Sequence, residues 1–427
     1  MSEKEAKCKN VTEPECSPVT KTCSHWVTRK KRFCKMTVGK NKEYCGEHEP
    51  TAELPQGEIA AEGERIFCPL DSKHTIYKKN LRKHLKICNA RPKIEVPAYL
   101  IKNFNAGEIF HQTHPDLRLT DLSNEDFYGI IKKVRDIYTQ YIENQIPFLT
   151  LYHESLEKEL NKREYGQESR KHLSQASALL GILNAEQYLD NSMCFVEFGA
   201  GKGQLAYYLA KLLENKQNSQ VILIDRMSLR HKKDNKIQDR SLITRIRCDI
   251  ADLCIEKLPF IQSDQCCVAV SKHLCGAATD LTLRCVSQTK QKHVDFILIA
   301  VCCHHRCDWS SFVGKEFFQE HHLTSKDFLI ITKMASWAIC GTGMSRERRQ
   351  ALEKQDQPSQ DDSVTNIKQR LCLAERETIG FMCKRLLDYA RLKFLQLHGY
   401  EVALKYYIPK NITLENVILL AKRKKNI

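Results

Sequence analysis

From Met193 onward, short apolar runs alternate with helical segments. The runs are CFVEF (194–198), VILID (221–225), ITRIRCDI (243–250), CCVAVS (266–271) and DFILIAVCC (295–303). Strands that alternate with helices in this way predict a parallel sheet in a doubly wound α/β fold. Two later runs, VALKYYI (402–408) and NVILLA (416–421), follow a long helical stretch (371–398) and predict a terminal hairpin that finishes the sheet. Upstream, Ile130, Ile131, Val134, Ile137, Tyr138 and Tyr141 recur at three- and four-residue spacing, the period of a helix with one buried face. No heptad is sustained, so residues 126–190 read as a helical cap on the following domain rather than a coiled coil.

The first 92 residues have little apolar content and are rich in Cys, His, Lys and Arg. Two small modules are expected there, over 18–50 and 65–92, followed by a proline-marked linker at 93–125 and a catalytic domain at 191–427. The polar run 345–369 reads as a disordered insertion.

Composition sharpens this division. A formal charge of +15 favours polyanionic partners, and its distribution is more telling than its size. Lys21–Lys42 and Lys73–Lys93 each hold eight basic residues and no acidic one, among clustered Cys and His. Twenty cysteines in a large chain without an export-type leader point to metal binding or burial rather than disulfides. No apolar run approaches the roughly 18–20 residues that cross a bilayer, so an intracellular protein with no membrane partner is expected.

The segment Val196-Glu197-Phe198-Gly199-Ala200-Gly201-Lys202-Gly203 follows an apolar strand and opens a helix. Glycines there bring backbone N–H groups against a ligand at the helix start. Asp225 ends the next run, placed to accept hydrogen bonds from ribose hydroxyls. The loop is G-x-G-x-G preceded by an acid, not the G-x-G-x-x-G of dinucleotide folds. It suits the amino-acid moiety of S-adenosylmethionine better than a pyrophosphate. Glu197 is the candidate partner of the cofactor's ammonium, Gly199, Gly201 and Gly203 form the cradle, and Asp249 is expected to reach the adenine amino group.

Cys68, His74, His84 and Cys88 are spaced C-x5-H-x9-H-x3-C, with the last pair at i, i+4 on a basic helix. Four such ligands suit a closed structural zinc site whose metal supplies folding energy. Cys23, Cys34, Cys45 and His48 form a second candidate, although Cys8, Cys16 and His25 are alternative ligands nearby. Arg29, Lys30, Lys31, Arg32, Lys78, Lys79 and Arg82 interleave these modules and suit a phosphate backbone. Trp26, Phe33, Tyr44 and Tyr77 would either stack on bases or fill the tiny cores.

Taken together, the chain resembles the eukaryotic tRNA 2′-O-methyltransferases that modify the fourth nucleotide of the acceptor stem. The resemblance spans almost its whole length. It rests on RKKRFCKM…YCGEH, CPLDSKH…HLKIC, KHLSQASALLG, FVEFGAGKGQL, SKHLCGAATDLTLRC, CCHHRCDW, MASWAICG and ENVILLA. The second module also resembles CHHC fingers of a minor-spliceosome protein family. The resemblance implies a Rossmann-like class I S-adenosylmethionine-dependent methyltransferase with a seven-stranded sheet, CCCH-type and CHHC-type zinc fingers, and tRNA as partner. Asp225 stands where glutamate would also serve, and the 345–369 insertion is short. A methyltransferase acting on another RNA or a protein, and a non-enzymatic RNA-binding adaptor, are the competing readings.

Methyl transfer to a ribose hydroxyl needs alignment and a proton acceptor or a cation. SKHLCGAATD begins at the end of the fourth strand, which makes His273 the candidate base and Lys272 its electrostatic partner, with Asp280 orienting either. In CCHHRCDW, His304 and His305 are rival bases and Arg306 a phosphate grip. Adjacent residues on a strand face opposite ways, which argues against a third metal site there.

Overall fold

The computed structural model describes residues 22–27, 32–39, 41–45, 48, 65–91, 96–108, 117–289, 294–338 and 371–424. The chain divides into two compact units, Met1–Val96 and Pro97–Ile427. Among the described residues, no helix is long and apolar enough to cross a membrane.

The first unit holds two small hairpins. β1 (Trp26–Val27) pairs with β2 (Arg32–Phe33). β3 (Arg65–Cys68) pairs with β4 (Asp71–Tyr77), and a 3-10 turn leads into α1 (Leu81–Ile87). Among the described residues neither hairpin has an apolar core of any size, and cysteines take its place: Cys23, Cys34, Cys45, Cys68 and Cys88 are all buried.

The second unit carries α2 (Asn124–Tyr141), the one-turn α3 (Glu157–Leu160) and α4 (Gln167–Ala185) ahead of the sheet. Then come β5 (Met193–Phe198), α5 (Gln204–Leu213), β6 (Gln220–Ile224), β7 (Ile243–Ile246), β8 (Cys266–Cys275) and α6 (Ala277–Ser287). β9 (Phe296–Cys302), α7 (Lys315–Glu320), α8 (Ser325–Ala335), α9 (Leu373–Leu397), β10 (Tyr400–Tyr406) and β11 (Val417–Arg423) complete it. The sheet order is β10-β11-β9-β8-β5-β6-β7. β5 to β9 run parallel, and β11 is antiparallel to both of its neighbours. This is the seven-stranded α/β architecture expected from the sequence, with the terminal hairpin folded into it. The direction of winding reverses between β5 and β8, where a crevice opens beyond the strand ends.

Strand alternation sorts the core into two layers. Val196, Phe198, Ile222 and Ile224 pack on the α6 side with Leu392 and Leu395 of α9. Phe195, Val221, Leu223 and Val268 pack against α4 and α5. Each such fully buried aliphatic or aromatic side chain contributes about 1.5–3 kcal/mol. A third cluster joins α2, α7 and α8 to Leu386, Leu387 and Ala390 of α9.

Three sequence expectations are corrected. Residues 126–190 do not form one cap: α2 joins the α7–α9 cluster while α4 lies on a sheet face. Helical periodicity shows that a face is buried but not against what. ITRIRCDI is a strand only to Ile246; Asp249 instead caps a 3-10 turn by accepting from the Ala251 N–H at 3.0 Å. Within the expected linker 93–125, the described residues 97–108 are tied to the rest of the second unit and not free. Asn105 is fully buried, and its Nδ2 donates to the carbonyls of Ile250 and Leu253 at 2.7 Å each. The run 345–369 lies outside the described residues.

Candidate cofactor cavity and metal sites

Beyond β5 the chain turns through three left-handed glycines, Gly199 (φ 64°), Gly201 (φ 53°) and Gly203 (φ 69°), into α5. At Gly203 a Cβ would lie 2.6 Å from Asp234 Oδ1 and 2.9 Å from Arg245 Nη2, so the loop is pressed onto that ion pair. Asp225, at the end of β6, closes the loop from the other side. Its Oδ2 accepts the Gly201 N–H at 2.7 Å and its Oδ1 accepts the Met227 N–H at 2.7 Å. Loop and carboxylate form two walls of one cavity of about 640 Å³. Gly199, Gly201, Asp225 and Asp249 line it with the apolar Cys248, Ile250, Leu274 and Leu281, and His273, Cys275 and Arg306 also reach it. A volume of this size is within the usual range for small-molecule sites.

The donor set fits S-adenosylmethionine. The Asp225 carboxylate already occupies the Gly201 N–H, which makes the loop a poor cradle for a pyrophosphate but leaves further lone pairs for ribose hydroxyls. The apolar walls match a flat heterocycle, and the half-buried Asp249 lies on the same wall with its Oδ2 3.9 Å from Arg226 Nη1.

Several predicted residues lie elsewhere. Glu197 is buried and faces α5, where its Oε2 accepts the Ala206 N–H at 2.9 Å. Burial pushes its carboxyl up to about 8, and it does not line the cavity. Gly203 supports the loop from behind. Lys272 points to the same side as Glu197: its Nζ lies 3.3 Å from His172 Nδ1 and from Gln204 Oε1, and burial brings it down to about 8. The two adjacent side chains leave the irregular stretch of β8 between Ser271 and Leu274 in different directions, Lys272 toward α4 and α5 and His273 toward the cavity. His273 does line the cavity, with its Nε2 3.2 Å from Cys275 Sγ.

Asp280 and His304 belong to the interior. Asp280 is fully buried and takes both a 3.0 Å bond from Arg391 Nε and a 2.7 Å bond from Arg391 Nη2. His304 Nε2 lies 2.6 Å from Asp388 Oδ1, and Arg391 and Arg385 reach the same carboxylate. Burial alone would raise Asp388, yet His304, Arg385 and Arg391 together hold it down at about 2. These groups pin α6, α9 and the turn after β9 to one another, so Asp280 and His304 act on the fold and not on a substrate. His305 is half-buried and off the cavity wall, whereas Arg306 is exposed on it. The Arg391–Asp388 network escaped sequence reading because its members are up to 111 residues apart.

In the first unit, two tetrads form. Cys23, Cys34, Cys45 and His48 bring one ligand atom each within 4.8 Å of one another, and so do Cys68, His74, His84 and Cys88. In the first, His48 Nδ1 lies 3.5 Å from Cys23 Sγ and 3.4 Å from Cys45 Sγ. His25 is not a ligand in it: its ring stacks on that of His48 at 3.8 Å. Cys8 and Cys16 lie outside the described residues. In the second, His84 Nε2 is 3.1 Å from Cys68 Sγ, and Cys68 and Cys88 sulfurs are 3.6 Å apart. Asp71 stands 3.4 Å from His74 Nδ1 and orients that ring toward the tetrad. These geometries fit structural zinc, and the described cysteines are all free thiols.

Around the tetrads, Arg29, Lys30 and Lys31 lie outside the described residues, and Arg32 is half-buried. Lys78 is half-buried, while Lys79, Arg82, Lys83 and Lys86 are exposed at helical spacing. Trp26 (48% exposed) and Phe33 (59%) form an edge-on pair at 5.1 Å and fill no core. Tyr77 carries Arg65 Cζ 4.8 Å from its ring centroid, and Tyr44 packs against the first tetrad.

Comparison with known proteins covers all three regions. The family described as "Methyltransferase TRM13" matches residues 174–422. "CCCH zinc finger in TRM13 protein" matches 21–49, and "U11-48K-like CHHC zinc finger" matches 65–89. Mouse and human proteins named "tRNA:m(4)X modification enzyme TRM13 homolog" are each 34% identical, over 95% of this chain and 95% of their own. The "tRNA:m(4)X modification enzyme TRM13" of Scheffersomyces stipitis is 33% identical over 92% of this chain and 98% of its own.

Proposed function

The chain belongs to the TRM13 methyltransferase family, and we propose from that premise that it methylates the ribose 2′-hydroxyl of the fourth acceptor-stem nucleotide of tRNA. It is a tRNA methyltransferase, and S-adenosylmethionine when bound supplies the methyl group. The observation that carries the reading is the junction of Gly201 and Asp225 at 2.7 Å on the cavity wall.

Each residue then has a task. Gly199 and Gly201 leave room on the wall for the amino-acid end of the cofactor, Asp225 takes the ribose hydroxyls and Asp249 the adenine amine. Glu197 and Gly203 keep the loop in shape from the α5 side. Arg306, exposed on the wall, grips a substrate phosphate and so sets the distance between hydroxyl and methyl group. In the first unit, Lys79, Arg82, Lys83 and Lys86 present one cationic helix face to the tRNA backbone, and Trp26 with Phe33 offers a stacking surface.

The test is incubation of unmodified bulk tRNA with labelled S-adenosylmethionine, followed by ribose-methyl mapping. Label on the fourth acceptor-stem ribose is expected. Label on a base, at another ribose, or in protein alone would overturn the proposal.

A further inference from the structure

We propose that the second unit holds a third zinc ion, bound by His273, Cys275, Cys302 and Cys303 at the carboxyl ends of β8 and β9. One ligand atom from each of the four lies within 4.8 Å of all the others, the same span that encloses each tetrad of the first unit. Cys275 Sγ is 3.2 Å from Cys303 Sγ and 3.2 Å from His273 Nε2. Zn–S bonds of about 2.3 Å imply tetrahedral edges of about 3.8 Å, so the cluster needs only a slight expansion to admit the ion.

Local geometry explains why four donors converge. The parallel register sets Cys275 beside Cys302, which puts both side chains on one face. His273 lies two residues before Cys275, inside the irregular stretch of β8 between Ser271 and Leu274, and its Nε2 reaches the Cys275 sulfur. Cys303 then adopts a left-handed conformation (φ 51°, ψ 39°), unusual for a residue with a side chain. That turn folds Cys303 back over Cys302, so strand alternation, which would separate adjacent cysteines, does not apply here. The next turn is equally constrained: Gly276 has φ 57°, and a Cβ there would overlap the Arg306 carbonyl.

Three thiolates and one imidazole are a soft donor set that suits zinc. All four positions are filled by protein, so the site is closed and structural. Binding requires the three thiols to release their protons to solvent. The ion ties together the two turns that carry His273, Cys275 and Arg306 to the cavity wall. A metal-held His273 is then a ligand and not the proton acceptor. The proposal stands on its own geometry and does not require the tRNA reaction, so the two can fail separately.

The experiment is zinc per chain by mass spectrometry in the full-length protein purified under reducing conditions, with C275S, C303S, C34S and C88S beside it. Three equivalents are expected in the unaltered protein and two in each variant. Two equivalents in the unaltered protein, or three retained in C303S, would overturn the site. A second reading covers variants that fail to fold. Alkylation of Cys275, Cys302 and Cys303 in the unaltered protein is expected to be slow until a zinc chelator is added. Chelator-independent labelling, or a Cys275–Cys303 disulfide in the peptide map, rejects it.

Discussion

Replacing Asp280 by asparagine separates a structural from a catalytic role at a position that the sequence placed in the active site. The Asp280 carboxylate is fully buried and bidentate to Arg391, with bonds of 3.0 and 2.7 Å. The Val313 N–H also points at it, at 3.4 Å. Asparagine keeps the shape but removes the charge, which leaves the buried guanidinium with Asp388 as its one carboxylate partner among the described residues, at 3.3 Å. Breaking one side of a buried, hydrogen-bonded pair typically costs about 3–5 kcal/mol, because the remaining charge is left without compensation. For a unit of this size, at about 1.5 °C per kcal/mol, Tm should fall by roughly 4–8 °C. Urea unfolding followed by circular dichroism should show the same loss at unchanged m-value. Adding Arg391→Met to Asp280→Asn should recover much of the loss, since an apolar side chain needs no counter-charge. Well below the new Tm, S-adenosylmethionine affinity and turnover should stay within about threefold of the unaltered protein. A melting point within about 1 °C of the original, with turnover abolished, would refute this account and return Asp280 to the chemistry.

Four further outcomes are expected. Gly203→Ala should destabilise the loop by about 1–3 kcal/mol, because it adds a Cβ at φ 69° against Asp234 and Arg245; an unchanged melting curve refutes the tight approach. Asp225→Ala should weaken S-adenosylmethionine binding at least tenfold by calorimetry, and retained affinity would remove Asp225 from the cofactor site. Replacing Lys79, Arg82, Lys83 and Lys86 together by alanine should weaken tRNA binding at every sequence tested. The slope of log K against log salt should fall by about 3, and an unchanged slope would mean that this face does not meet phosphate. Asp388 is held at about 2 against an ordinary 3.8, so the stability it contributes is present above about pH 4 and is lost as pH falls toward 2. Asp388→Asn should therefore flatten the acid limb of a stability–pH curve, and an unaltered limb rejects the assignment.

What the sequence determined by itself was everything encoded at short range. Alternating apolar runs marked all seven strands of the sheet, the glycine pattern after β5 marked the left-handed loop on the cavity wall, and both finger tetrads were readable because their ligands fall within 26 residues. Periodicity and turn chemistry are local properties, so a linear reading captures them. Tertiary structure decided which way each side chain points and what meets it. Lys272 and His273 are neighbours in sequence yet leave β8 in different directions, and Glu197 turns toward α5 instead of the cavity. Asp280 finds Arg391 across 111 residues, and one left-handed residue after β9 gathers Cys302 and Cys303 to the same point. Such pairings depend on strand register and helix docking, and those are settled by the packing of the whole core.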